Sequence, residues 1–216
     1  MANPIVFTKT LAAASANNIA LSQSPGAGAI TLNGSTVTAG VATIDTYNAL
    51  TNSAPGRRVL ITSGSSDTGI TFTVTGTNAS GNTISDTFAG GAVTATSNLD
   101  FVTVTGVTHT GSVASTITIG TSGVGSSPWV TMNYQGFSPM NVGVFVQYTG
   151  TGTFTVEYTY DDPNNLPAGV SFPATSALLT PIALGGGTTI AGVTASTQAD
   201  GLFTNPFVAI RLTINT

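Results

Sequence analysis

The chain contains no cysteine and one histidine, and only 6% of its 216 residues are charged. An average globular protein carries about 25% charged residues. Without cysteine there are no disulfides, no thiolate zinc sites and no cysteine nucleophile. The four basic residues are Lys9, Arg57, Arg58 and Arg211, against eight acids, for a formal net charge of -4. Nucleic-acid binding without sequence preference needs many phosphate contacts, and four scattered cations make no basic groove. No run of 18 or more apolar residues occurs, so no helical membrane span is expected. Little remains for chemistry, and threonine, serine, glycine and asparagine must cover most of the solvent face.

What is present is alternation. Ile70, Phe72 and Val74 point one way and Thr71, Thr73 and Thr75 the other, a period of two that predicts a half-buried antiparallel strand. Gly76–Asn82 then supplies turn residues. A return limb places Ile84 and Phe88 on one face, with Asp86 sharing their parity near the strand's edge. Similar short strands are predicted at Ile30–Gly34, Gly40–Tyr47, Arg58–Thr62, Val93–Thr96, Phe101–Val107 and Ser115–Gly120. After a restart at Trp129 come Val142–Val146, Phe154–Tyr160 and Val208–Ile214. Helix is conceivable only for Leu11–Ala16. The expected fold is all-β: two tandem antiparallel β-sandwich or jelly-roll-like domains with an extended N-terminal arm. The arm is residues 1–22, the first domain 23–122, a Gly/Ser linker 123–128, and the second domain 129–216. Within the second domain, Asp161 to about Thr189 reads as a long loop carrying Pro163, Pro167, Pro173 and Pro181. The N-terminus has no basic segment before its short apolar run and makes a poor signal peptide, so synthesis and folding in the cytosol are expected.

Each constellation of reactive residues has a plainer reading. His109 lies in Thr108-His109-Thr110-Gly111, which reads as a turn. Its nearest acid in sequence is Asp100, and no nucleophile elbow accompanies it. A histidine without a catalytic part is expected. Glu157, Asp161 and Asp162 form a weak calcium candidate, since hard cations take six to eight oxygen ligands. The same stretch is also an ordinary turn leaving a strand, and the calcium-loop spacing is missing. Eight dispersed acids do not suggest the facing carboxylate pair of a glycosidase. Gly185-Gly186-Gly187-Thr188-Thr189 is no phosphate cradle, because no lysine follows Lys9. Trp129, Tyr134, Tyr148, Tyr158 and Tyr160 fit core, protein interface or glycan stacking. Arg211, alone in an apolar strand, is expected to pair with Glu157 or Asp162, or to reach a neighbouring subunit. No catalytic residue and no cofactor are expected.

Two sets of motifs carry a resemblance. Thr153–Pro163, reading TFTVEYTYDDP, with Asn205–Leu212, reading NPFVAIRL, resembles a β-domain of tailed-bacteriophage virion proteins. Arg58–Thr62, Phe72–Thr77, Phe101–Val104 and Ile119–Thr121 resemble phage structural proteins as well. The chain departs from that pattern in its Pro/Gly-rich insertion, Asn164–Thr189, and in ending straight after the closing strand. The resemblance implies a non-enzymatic virion structural protein, a capsid decoration (cement) protein made in the host cytoplasm and placed on the capsid surface. Its partners would be the major capsid protein and other virion proteins, with a homotrimer at local three-fold positions. The interface residues expected are Ile5, Phe7, Arg57, Trp129, Tyr134, Phe172, Leu178 and Leu179. Alternatives are a head–tail connector, tail or fibre component that binds host glycan, and an exported bacterial adhesin or carbohydrate-binding module.

Overall fold

The computed structural model describes residues 11–45, 56–79, 81–132, 142–148, 153–160, 162, 182–183, 197–203 and 208–215. Every regular element among them is a strand. The chain divides between Pro128 and Trp129 into two compact units.

The first unit holds β1 (Ser15–Gln23), β2 (Gly28–Ala29), β3 (Val37–Thr38), β4 (Val41–Thr43), β5 (Gly56–Ser63), β6 (Thr71–Thr77), β7 (Thr83–Ala89), β8 (Thr94–Thr96), β9 (Thr103–His109) and β10 (Ile117–Ser126). One antiparallel sheet runs β1-β10-β5-β8. The other runs β3-β4-β9-β6-β7, with β2 also on β9. The two pack face to face over Ile19, Ile30, Val59, Ile61, Phe72, Val74, Ile84, Phe101, Val104, Val107, Ile117 and Ile119. The β6–β7 hairpin follows its alternation: Phe72 sits opposite Phe88 and Val74 opposite Asp86, with inward side chains buried and outward ones partly or fully exposed.

Strict alternation fails on β9, where both Val104 and Val107 are buried. Thr75 pairs with Gly106 but the next residue, Gly76, pairs with Val104. Thr105 is therefore an inserted residue, a β-bulge that resets the parity and returns valine to the core three positions on.

Three expectations change. The arm is partly a strand: Ser15–Gln23 pairs with β10, and the Ile19 and Asn18 carbonyls accept hydrogen bonds from Gly34 and Thr36 amides. β1 thus straps β10 to the loop that leads into β3. Its register shifts twice, so it shows no period of two. The Gly/Ser stretch 123–128 is not a free linker, because β10 continues to Ser126 and pairs there with Gly56. Its glycines allow close strand approach. A Cβ at Gly120 would overlap the Ser15 carbonyl, and one at Gly125 would lie 2.8 Å from the Gly56 carbonyl. Asp86, expected near a strand edge, is central in β7 and 1% exposed.

The second unit contains β11 (Val130–Thr131), β12 (Val142–Tyr148), β13 (Thr153–Thr159), β14 (Ile182–Ala183), β15 (Thr197–Phe203) and β16 (Ala209–Asn215). β16 pairs with β11 and β13, β13 with β14, and β12 with β15, all antiparallel. The stretch expected as a long loop therefore includes a short strand, β14, held on Glu157 and Tyr158 of β13.

Candidate functional site

In the second unit, register brings one charge cluster together. Glu157 of β13 lies directly opposite Arg211 of β16. Arg211 Nε donates to Glu157 Oε2 at 2.6 Å, and Thr213 Oγ1 donates to the same oxygen at 3.0 Å. The guanidinium carbon lies 4.7 Å from the centre of the Trp129 ring, a cation–π contact. Glu157 is thus the acid that Arg211 meets, and Trp129, expected at a protein interface, covers that ion pair. Oε2, one of the two carboxylate oxygens Glu157 could offer a calcium ion, already accepts two hydrogen bonds. Asp162 is exposed and Asp161 lies outside the described residues. Among the described residues no group of three or more His, Asp or Glu side chains could hold a metal.

On the other parity of β13, the Tyr158 and Tyr160 rings meet edge to face at 5.7 Å, and Tyr160 is 57% exposed. Burial raises the Tyr158 pKa, and the hydrogen bond and charge of Tyr160 raise it further.

Arg57, expected at an interface, is a correction: it is buried inside the first unit, 4% exposed. One guanidinium nitrogen donates to the carbonyls of Ala12, Ala13 and Ser122, fastening the segment before β1 to the bulge of β10. Burial lowers its pKa, and the Asp45 carboxylate partly opposes that. Arg58 faces Asp100 at 3.7 Å. All three arginines are therefore engaged within their own units. Ile5, Phe7, Tyr134, Phe172, Leu178 and Leu179 lie outside the described residues.

His109 ends β9 rather than sitting in a turn. It is buried, its ring stacks on Phe72 at 5.8 Å, and Nδ1 lies 2.6 Å from the Gly111 carbonyl oxygen. That oxygen can only accept, so Nδ1 carries the proton. The contact fixes the ring as part of the core. Two buried acids organise loops in the same way. Asp86 Oδ2 accepts from the Asn98 and Leu99 amides, and Asp67 Oδ1 from the Ala114 amide.

In the first unit, the outer face of the β4-β9-β6-β7 sheet is partly or fully exposed. Register sets Thr83, Thr77, Thr103 and Thr43 in one row, and Thr87, Thr73 and Thr108 in another. Hydroxyls bond laterally, Thr73 to Thr87 at 3.0 Å and Thr77 to Thr103 at 2.7 Å. These rows carry no charge. Sequence reasoning found the outward threonines of β6 but not their continuation across four strands, which only register supplies. No known protein family, curated protein or solved structure gives a match to this chain.

Proposed function

We propose that the chain is a non-enzymatic structural protein of a bacteriophage virion, a capsid decoration protein that bridges capsomers of the major capsid protein. The observation that carries the reading is the uncharged threonine face, in a chain whose described arginines are all engaged internally. Covering such a face desolvates no charge, and four of its seven hydroxyls already have lateral partners, so a protein neighbour meets a modest penalty there. Repetition around a symmetric shell turns a modest contact into firm attachment, because each copy held at several points is held with high effective concentration. A trimer fits local three-fold positions.

The test is copy number per purified particle, by quantitative mass spectrometry against the major capsid protein. Hundreds of copies in a simple ratio support decoration. A handful places the chain at the neck or tail, and none removes it from the virion. One observation favours a second reading as a glycan-binding tail or fibre component: Tyr160 stands 57% exposed against Tyr158, an aromatic surface on which a sugar ring can stack. Failure of host polysaccharide to bind the wild-type chain counts against it.

A further inference from the structure

We infer that β7 is a strand acceptor, onto which an extended, uncharged or basic segment of a partner protein adds by main-chain pairing. This deepens the decoration reading and rests on it for the partner's identity, but the edge itself is defined by geometry.

Among the described residues β7 is the last strand of its sheet, paired on one side only, with β6. Two flanking bonds fix which of its groups are used: the Asn78 amide donates to the Asn82 carbonyl, and the Gly90 amide to the Ile70 carbonyl. In an antiparallel ladder, hydrogen-bonded pairs alternate with non-bonded ones. The bonded pairs are therefore Gly76 with Ile84, Val74 with Asp86, and Phe72 with Phe88. The amides and carbonyls of Thr83, Ser85, Thr87 and Ala89 consequently point away from β6. None of these four residues makes a main-chain bond to any other segment, and all four are exposed.

Proteins usually guard such an edge with lysine, proline, a bulge or a very short strand. β7 has seven residues, no proline, no cation and an unshifted register against β6. Its one charge, Asp86, points inward and already accepts from the Asn98 and Leu99 amides.

Charge selects the occupant. Two copies pairing through β7 in the fully overlapping register, Thr83 opposite Ala89 and Ser85 opposite Thr87, would set Asp86 against Asp86. Like charges directly opposed across strands are destabilising. The formal net charge of -4 also disfavours an acidic strand. A neutral or basic strand of a different protein meets neither obstacle, and main-chain bonds would supply its affinity.

The test uses amide exchange and one proline. In the dilute free chain, the Ser85 and Thr87 amides exchange fast while those of Ile84, Asp86 and Phe88 are protected. In particles that carry the chain, Ser85 and Thr87 slow by roughly tenfold or more. Ser85→Pro removes an amide that the β6–β7 ladder does not use, a place where an edge strand tolerates proline. It leaves exchange elsewhere unchanged and lowers copies per particle about tenfold or more, whereas Ser85→Ala loads normally. A folded Ser85→Pro chain that loads at wild-type numbers overturns the inference. So does protection of Ser85 and Thr87 that grows with concentration of the free chain alone, which would make a second copy the occupant. If the wild-type chain is absent from particles, the decoration reading fails by itself. The edge is then judged on the free chain with alternating threonine–valine peptides of strand length, neutral and acidic. Protection of Ser85 and Thr87 by the neutral peptide alone supports the acceptor, and protection by neither peptide overturns it.

Discussion

Replacing Arg211 by methionine tests the ion pair that organises the second unit. The side chains of Arg211 and Glu157 are 11% and 17% exposed, so the pair is neither a solvated surface contact nor fully dry. Breaking a buried pair by removing one partner costs about 3–5 kcal/mol, and exposed pairs contribute about 0.2–1 kcal/mol. The intermediate burial places Arg211→Met at about 2–3 kcal/mol, including about 0.5–1 kcal/mol for the contact with Trp129. Glu157→Gln keeps an acceptor for Arg211 and Thr213, so only the charge is lost, at about 1 kcal/mol. In the double mutant the two losses overlap, with a coupling of about 1–2 kcal/mol. The assay is urea unfolding followed by tryptophan fluorescence. Trp129 is the one tryptophan of the chain, so the signal reports the second unit whether or not the first unfolds with it. Raising the salt to 1 M shortens the screening length to about 3 Å, yet a 2.6 Å contact this buried should keep most of its coupling. A coupling below about 0.5 kcal/mol, or one abolished by salt, would refute the reasoning.

Three further outcomes are expected. Ala39 has φ 51° ahead of Gly40 at φ 80° in the two-residue turn between β3 and β4, where asparagine followed by glycine is preferred. Ala39→Asn should therefore raise stability by about 0.5–1 kcal/mol, read as a higher urea midpoint. Gly120→Ala places a methyl on the Ser15 carbonyl and should loosen β1, with faster proteolysis and amide exchange confined at first to residues 11–23. Tyr158, with its pKa raised by burial and then by Tyr160, favours the neutral phenol in the fold. Its contribution is complete below the ordinary tyrosine value of about 10 and is lost as pH rises through the higher folded value. Absorbance titration should show one late tyrosine, and Tyr160→Phe should bring it part of the way back.

The parts of the fold legible in the sequence are those where one local rule decides. β6 and β7 alternate because each has one wet and one dry face, and Val59 and Ile61 of β5 share the buried side for the same reason. Glu157 was one of the two acids expected for Arg211, with a neighbouring subunit as the alternative, because so few charges compete for it. What was not legible depends on distant segments. β1 follows no period because β10 holds it on one side and the 33–36 loop on the other, and the glycines of β10 look flexible until Ser15 and Gly56 are seen beside them. Arg57 looks like a surface cation because its acceptors are main-chain carbonyls, which leave no mark in side-chain chemistry. The open edge of β7 was hidden too, since which strand ends a sheet follows from topology, not from the strand's own residues.

The strap formed by β1 also sets a schedule. Asn18 hydrogen-bonds to Thr121, 103 positions further along the chain, and the whole of β1 pairs with β10, the last strand of its unit. Closing a loop of that span is entropically costly and slow compared with forming the β6–β7 hairpin. On the ribosome, β1 must wait for β10 before it has a place to lie. Until then residues 15–23 and the facing edge of β10 are open to other chains. A chain made in many copies at once would be most exposed to misassembly in that interval, before its first unit has closed.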